Sequence, residues 1–317
     1  MEKITSNGMK DTRSGFGAGL LEAGKANPNV FALTADVTGS VKMGDFKAAF
    51  PDRFIQVGIA EANMIGISAG LALSGKVPFA AAFAGFVSGR VYDQIRMTAA
   101  YSNLNVKICA SHAGLTVGED GATHQMIEDL GLMKMLPNMV VLNPCDYTQT
   151  KMATIAAAEY NGPVYLRFGR PAVPDFTAET PFVIGKAITM NEGTDVTVFA
   201  TGHLVYPALQ AAYALAGQGI SAEVIDITTI KPLDEEAVIA SLAKTGCAVT
   251  AEEHLMNGGM GDSICQLSCR KLPVPVEMVA VNDVFGESGT SDELMKLHGL
   301  DTEHIAEACK KVIARKN

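Results

Sequence analysis

Glu61 stands between a predicted strand and a predicted helix, in the segment QVGIAEANMIGISAGLALSG. Its neighbours Ile59, Ala60, Met64 and Ile65 are apolar, so the carboxyl group would be partly removed from water. Because burial disfavours the charged form of a carboxyl, a group in this position could hold and donate a proton. A first-turn glutamate that complements the helix dipole has the same sequence pattern. The residues alone leave both interpretations open.

A second group of polar residues lies in SHAGLTVGEDGATHQMIEDLG, which follows another predicted strand. It places His112, Glu119, Asp120 and His124 on a glycine-rich loop. Ligands of open α/β sheets bind outside the carboxyl ends of the strands. Histidines and carboxylates there can polarise carbonyl and hydroxyl groups. Since the loop has no close i,i+4 histidine pair, the pattern favours a polar substrate-binding loop over a metal site.

Two phenylalanines, Phe83 and Phe86, stand three residues apart at the end of a predicted strand in FAAAFAGF. Their rings could form a wall for a planar heterocycle, and they could equally be ordinary core residues. The spacing alone does not separate these interpretations.

The elements that must position these residues alternate between short apolar runs and amphipathic stretches, as in βαβ units that build a parallel sheet. In the first part of the chain, strands are predicted at 30–35, 54–59, 77–83, 106–111, 139–144 and 163–168. Helices are predicted between them at 62–74, 88–102, 124–135 and 146–160.

A stretch rich in proline and polar residues, from Arg170 to about Gly193, separates this series from a second one. The second series has predicted strands at 195–201, 222–227, 247–253 and 276–281, and helices at 203–217, 234–244, 259–271 and 301–315. We therefore expect an α/β protein with two doubly wound domains and mostly parallel sheets. The expected domains are 1–175 and 193–317, with a linker at 176–192.

Composition narrows the function classes. The 317 residues are 48% hydrophobic and 19% charged, with a net charge of -9 that is spread along the chain. Such a charge argues against broad contact with nucleic acid or anionic membranes. No apolar run approaches the roughly 20 residues that span a bilayer, and the N-terminus has no apolar signal core. We expect a cytoplasmic enzyme, and no metal site is predicted at Cys265 and Cys269.

Taken together, the motifs resemble those of transketolase, over nearly the whole chain. The resemblance covers its pyrimidine-binding domain and the smaller C-terminal domain. It rests on G-I-A-E at 58–61, F-A-G-F at 83–86, G-E-D-G-A-T-H-Q at 118–125, L-P-N-M-V-V-L-N-P at 136–144, and A-E-E-H with G-G-M-G within 251–261.

The resemblance implies thiamine diphosphate as cofactor. Glu61 is similar to the carboxyl that protonates a ring nitrogen of the cofactor's aminopyrimidine, and Asp36 to an acidic residue near the cofactor. Phe83 and Phe86 resemble the pyrimidine pocket, although Gly89 falls where the family usually places a further aromatic residue.

The resemblance also implies a sugar-phosphate site. His112, Asp120 and His124 resemble groups that contact the donor hydroxyls and the reacting carbonyl, and both histidines are expected to act in catalysis. Arg13, Ser40 and Arg170 fall at the family's phosphate-binding positions. Guanidinium groups suit that task because they offer charged, forked donors.

The family binds the diphosphate and Mg²⁺ through a G-D-G motif followed some 25 to 30 residues later by Asn, and this sequence has no such element. The resemblance therefore implies a separate N-terminal, diphosphate-binding subunit that carries the Mg²⁺ ligands, in an α₂β₂ assembly. The expected reaction is transfer of a two-carbon ketol unit between sugar phosphates.

Three alternatives remain open at this point. The loop and the Y-D-Q motif at 92–94 are similar to those of 1-deoxyxylulose-5-phosphate synthase, although His112 favours transketolase. The β subunit of oxoacid dehydrogenases shares the layout and the glutamate, but should lack the G-E-D-G-x-T-H-Q loop. A non-catalytic regulatory subunit would be expected to lose Glu61 or the histidines, and all are present.

Overall fold

The computed structural model describes residues 4–316. A seven-stranded sheet lies in the first part of the chain. Its strands, in spatial order, are Thr229–Lys231, Val140–Leu142, Val164–Arg167, Lys107–Ser111, Val77–Phe83, Val30–Thr34 and Phe54–Gln56. All neighbours are parallel except Thr229–Lys231, which runs antiparallel along Val140–Leu142. The edge strand from the second half of the chain thus completes the first sheet.

The second sheet has five strands. In spatial order these are Val276–Val281, Ala248–Leu255, Val196–Ala200, Ala222–Asp226 and Ile188–Asn191. Its neighbours are parallel except Ile188–Asn191, which is antiparallel to Ala222–Asp226 and lies within the predicted linker. A two-stranded antiparallel pair joins Met9–Asp11 to Ala172–Pro174.

Helices cover these sheets. They span Thr12–Ala26, Gly44–Ala49, Glu61–Leu73, Ala84–Val87, Tyr92–Gln94, Asp129–Lys134, Tyr147–Glu159, Val205–Ala216, Glu235–Thr245, Met260–Lys271, Ser291–Leu297 and Thr302–Ile313. Short 3₁₀ segments occupy Pro51–Arg53, Leu115–Asp120 and Gly202–Leu204, and a π-helical segment occupies Ile95–Ala100. None of the helices within residues 4–316 is long and apolar enough to cross a membrane.

The predicted fold class, α/β with two mostly parallel sheets, is confirmed. Two helix predictions need correction. The helix predicted at 124–135 forms only over Asp129–Lys134, because Glu128, its N-cap residue, has φ −119° and ψ 1°, outside the helical region. The helix predicted at 88–102 begins at Tyr92 and continues as the π-helical segment.

One apolar core joins the two parts of the chain. A single buried cluster contains Ala80 and Ile108 of the first sheet together with Phe199 and Ile225 of the second, and also Met260 from a helix on the second sheet. Close packing of such a cluster resists relative movement of the elements that form it. The two sheets therefore present their loops to one another in a fixed arrangement.

Candidate functional site

The order of the first sheet brings the predicted site residues to one edge. Five adjacent parallel strands end there, and the residues that end or follow them are, in spatial order, Glu61, Asp36, Phe83, His112 and Arg170. This is the edge at which open α/β sheets bind ligands. Residues far apart in the sequence are thus gathered because their strands are neighbours.

Glu61 is the first residue of the helix Glu61–Leu73, and it is only 5% exposed. Nη1 of Arg90 lies 3.3 Å from each of its carboxylate oxygens. The Arg90 side chain is half exposed, so it can move away without disrupting the core. The Glu61 carboxyl is therefore held at the site by the helix start and is paired with a movable cation.

An aromatic cluster lies beside this pair. The rings of Phe83 and Phe86 stack with centroids 5.8 Å apart, and the imidazole of His112 stacks on Phe83 at 3.9 Å. His124 meets Phe86 edge-on at 5.8 Å. The guanidinium carbon of Arg90 lies 4.1 Å from the Phe86 ring centroid. Phe83 and Phe86 thus form a partly exposed surface rather than ordinary core.

Asp36 follows the strand Val30–Thr34 in the left-handed region, with φ 61°. Aspartate tolerates this conformation better than most residues. The side chain of Gln56 fixes the turn, since its Oε1 accepts the Asp36 amide at 2.7 Å. Asp36 therefore presents an exposed carboxylate at the same edge of the sheet as Glu61.

His112 is buried and also has a positive φ, 58°. Its Nδ1 lies 2.7 Å from Oγ of Ser111. Burial, followed by the positive charges of Arg13 and Arg170, lowers the pKa of His112 to about 3. His112 is thus a neutral imidazole near neutral pH, able to donate or accept a hydrogen bond without adding charge.

Arg13 and Arg170 form the cationic end of the site. Nη1 of Arg13 donates to the backbone oxygen of Ser40 at 3.2 Å, which places the loop of Ser40 beside it. Arg170 lies 3.4 Å from a Glu119 carboxylate oxygen and 3.8 Å from one of Asp120. Two guanidinium groups near a neutral imidazole suit a phosphorylated, polyhydroxylated ligand.

His124 lies on the loop rather than on the predicted helix, with Nδ1 3.0 Å from Oγ1 of Thr123. The loop conformation brings its ring to the aromatic cluster, while Asp120 remains exposed beside Arg170. The structure therefore gathers all the predicted site residues around one edge, in an aromatic part and a cationic part.

Sequence reasoning missed Arg90. It follows Gly89, where the family pattern leads one to expect an aromatic residue. Apart from the chain neighbours, the atoms nearest to a Cβ at Gly89 would belong to Gly85 and Met126, at ordinary contact distances. The space beside Phe86 is filled by the Arg90 guanidinium instead. An arginine next to a missing aromatic residue was the available signal.

Comparison with known families gives two matches. The family described as "Transketolase, pyrimidine binding domain" matches residues 8–175, and that described as "Transketolase, C-terminal domain" matches residues 185–305.

Relatives that align with this chain over almost their whole length agree with these family matches. The "Putative transketolase C-terminal section" of Methanocaldococcus jannaschii is 46% identical, covering 94% of each chain. The "6-deoxy-6-sulfo-D-fructose transketolase subunit SqwH" of Clostridium sp. is 42% identical over 99% of this chain and 97% of that protein. A solved structure titled "Split gene transketolase, inactive beta4 tetramer" is 44% identical, with a TM-score of 0.92 over 97% of this chain and 99% of that one. The predicted resemblance is confirmed, and the chain belongs to the transketolase family.

Proposed function

We propose that this chain is the cytoplasmic C-terminal subunit of a thiamine-diphosphate-dependent transketolase, which transfers a two-carbon ketol unit from a ketose phosphate to an aldose phosphate. The observation that carries the proposal is the gathering, along one sheet edge, of a buried carboxyl, an aromatic surface, two histidines and two arginines. In this reaction the carboxyl and the aromatic surface would bind the cofactor, the histidines the sugar, and the arginines the phosphate group.

The site fits an aminopyrimidine ring, because a group of similar shape and polarity already lies in it. The planar guanidinium of Arg90 stacks on Phe86 and donates to both oxygens of Glu61. A flat heterocycle with ring and amine nitrogens could replace it on the same two partners. Glu61, Phe83 and Phe86 would hold the ring, with Asp36 near the cofactor. Bound thiamine diphosphate supplies the carbon nucleophile and the electron sink for cleavage of the carbon–carbon bond.

The side chains of this chain then bind and polarise. Glu61 would hold a proton at a pyrimidine ring nitrogen of the bound cofactor, because general acid–base catalysis requires the acid to lie within hydrogen-bond reach of the atom it protonates. The neutral imidazole of His112, together with His124, would donate to the reacting carbonyl and the donor hydroxyls, and the Asp120 carboxylate would accept from a donor hydroxyl. Arg13, Arg170 and the loop of Ser40 bind the sugar phosphate through charge-assisted hydrogen bonds.

The diphosphate and Mg²⁺ are proposed to bind to a separate subunit, in an α₂β₂ assembly. Relatives that this chain covers almost end to end have names that describe a section or a subunit, and the related β₄ tetramer is titled inactive. The chain also has exposed apolar residues along the helix that begins at Glu61. Ile59 and Leu73, which flank or end the Glu61 helix, are 79% and 75% exposed. Between them, Gly66 and Gly70 leave open space, so another chain can approach closely.

The choice of donor tests the proposed reaction. With the two subunits, thiamine diphosphate and Mg²⁺ present, xylulose 5-phosphate should serve as ketol donor to ribose 5-phosphate, and pyruvate should not react. Reaction with pyruvate alone would instead support the alternatives of deoxyxylulose-phosphate synthase or oxoacid dehydrogenase type. No reaction with either donor, in an assembly that binds the cofactor, would contradict this choice of donor and reopen both the substrate and the function.

Replacing Arg90 tests the fit of the cofactor. Arg90 contacts both Glu61 and Phe86, the residues that would bind the aminopyrimidine ring. Arg90→Ala should therefore remove a side chain that competes with the cofactor for these two partners. A half-exposed ion pair and a cation–π contact are together worth about 1 to 2 kcal/mol, so half-saturation with thiamine diphosphate should need about five- to thirtyfold less cofactor. Cofactor titration of the two-subunit assembly measures this, with Arg96→Ala as the control. Weaker cofactor binding in Arg90→Ala would show that Arg90 belongs to the pocket.

A further inference from the structure

The loop that carries the proposed donor-binding residues, 112–124, has an irregular backbone. It turns at Gly114, Gly118 and Gly121, whose φ values are 83°, 82° and 73°. A loop of this kind does not form a continuous series of backbone hydrogen bonds within itself. Its buried backbone N–H and C=O groups therefore need hydrogen-bond partners from other parts of the chain. The position of its side chains therefore depends on whatever supplies those partners.

Both backbone polar groups of Thr116, near the middle of this loop, are bonded by side chains from the second half of the chain. Its N–H donates to Oε1 of Glu253 at 2.7 Å, across 137 positions of sequence. Its carbonyl oxygen accepts from Oγ of Ser291 at 3.0 Å, across 175 positions. Glu253 is 2% exposed and Thr116 4%, so solvent does not readily replace Glu253 as the partner of the Thr116 N–H.

A second link comes from Gln125, just beyond the loop. Its Nε2 donates to the backbone oxygen of Leu115 at 3.1 Å and to that of Glu287 at 2.9 Å. One side-chain amide thus joins the loop to the segment 286–291. That segment also contains Ser291, so the two links act on the same side of the loop.

The contacts are too close for larger residues. A Cβ added at Gly114 would overlap the Glu253 carboxylate, and one at Gly121 would overlap Oγ of Ser288. A Cβ at Gly286 would overlap the side-chain amide of Gln125. The loop and the second half of the chain therefore pack closely at three separate positions, rather than at one.

The buried Glu253 also reaches the cationic end of the site. Nδ1 of His203 lies 3.4 Å from Oε2 of Glu253, and the His203 ring fills the space beside Gly169, the residue before Arg170. Burial would raise the pKa of Glu253, but His203, Arg167 and the Thr116 amide together hold that pKa below its usual value. A carboxylate with these partners is a fixed point between the loop and Arg170.

We propose that Glu253, His203 and Ser291 are positioning residues of the sugar-phosphate site: they hold the loop 112–124 and the segment before Arg170 at the geometry that the donor requires. Their role rests on the proposed function, since the loop is taken to bind the donor. The proposed role means that the second sheet and the segment 286–291 contribute to substrate binding indirectly, through the loop.

Replacing Ser291 is the mildest test. In the two-subunit assembly, Ser291→Ala should raise KM for xylulose 5-phosphate about five- to tenfold while kcat changes less than about twofold, because one hydrogen bond to the loop is lost. Half-saturation with thiamine diphosphate should not change. Ser291→Thr keeps the hydroxyl and should restore KM, since a cavity of about 390 Å³ lined by Thr116 and Ser291 has room for the methyl group. Ser268→Ala is the matched control, because it removes a hydroxyl–carbonyl bond of 2.9 Å away from the loop.

Hydrogen exchange of the full chain supplies a readout that needs no substrate. Amides of residues 114–121 should exchange about fivefold faster in Ser291→Ala and in Glu253→Gln than in the wild type and in Ser268→Ala. Unchanged exchange in both variants would overturn the positioning role, and so would faster exchange with unchanged KM. If the assembly transfers no ketol unit at all, the proposed function fails, and the exchange data alone then decide whether the second half holds the loop.

Discussion

Replacing Glu61 by glutamine is expected to reduce ketol-transfer turnover by about 10²- to 10⁴-fold, the range typical of a positioned general acid or base. Glutamine keeps the shape of the side chain but cannot hold an acidic proton at the pyrimidine nitrogen. Glu61→Ala should have at least as large an effect. The carboxyl starts a helix, and its ion-pair partner among residues 4–316 is a half-exposed arginine, so its loss should leave the fold intact.

The measurement is single-turnover and steady-state transfer by the two-subunit assembly at saturating cofactor. Glu236→Gln, at an exposed position of another helix, is the matched control. Size-exclusion chromatography of each variant with the partner subunit checks assembly. Turnover above a few per cent of wild type in an intact Glu61→Gln assembly would exclude the proposed role for this residue.

Replacing Arg170 by methionine is expected to lower kcat/KM for phosphorylated donors about ten- to a hundredfold, because hydrogen bonds to a charged group are worth about 1.5 to 3 kcal/mol. An unphosphorylated ketose should lose little, since it makes no such contact. This comparison separates phosphate binding from the second role of Arg170, which donates to the Val117 backbone oxygen in the loop. A general loosening of the loop would slow both donors alike.

Kinetics with xylulose 5-phosphate and with xylulose measure this difference. Arg270→Met is the control, because Arg270 is an exposed arginine with a similar 3.4 Å carboxylate contact, to Glu235. Equal losses for the two donors in Arg170→Met would contradict the assignment of a phosphate-binding role.

Hydrophobic runs predicted the parallel strands of both sheets well, because strands covered on both faces are continuously apolar. The antiparallel edge strands Thr229–Lys231 and Ile188–Asn191 were not predicted. Helix Thr12–Ala26 was not predicted, since its glycines lower intrinsic helix propensity. Those same glycines let it pack closely on Tyr147–Glu159: a Cβ at Gly15 would overlap the backbone oxygen of Tyr147, and one at Gly19 would meet Lys151. Tertiary packing therefore stabilises a helix that local sequence does not favour.

The site shows a similar division. Glu61 and His112 could be predicted because they follow strands whose carboxyl ends share one edge, whereas Arg170 was identified through the resemblance to the family. For Arg90 the sequence offered only the missing aromatic residue beside it as a signal, since the contact depends on how its side chain bends back over Phe86. The contact of Glu253 with the loop spans 137 positions, and no local pattern predicts a contact of that range.

The central claim is that this chain is one part of a two-subunit transketolase. The most direct test follows ketol transfer from xylulose 5-phosphate to ribose 5-phosphate, with thiamine diphosphate and Mg²⁺, for this chain alone, for the diphosphate-binding subunit alone, and for their mixture. We predict transfer only in the mixture, rising to a maximum at equal amounts of the two chains. Transfer by this chain alone, or no transfer by a mixture that forms a stable complex with bound cofactor, would contradict the account.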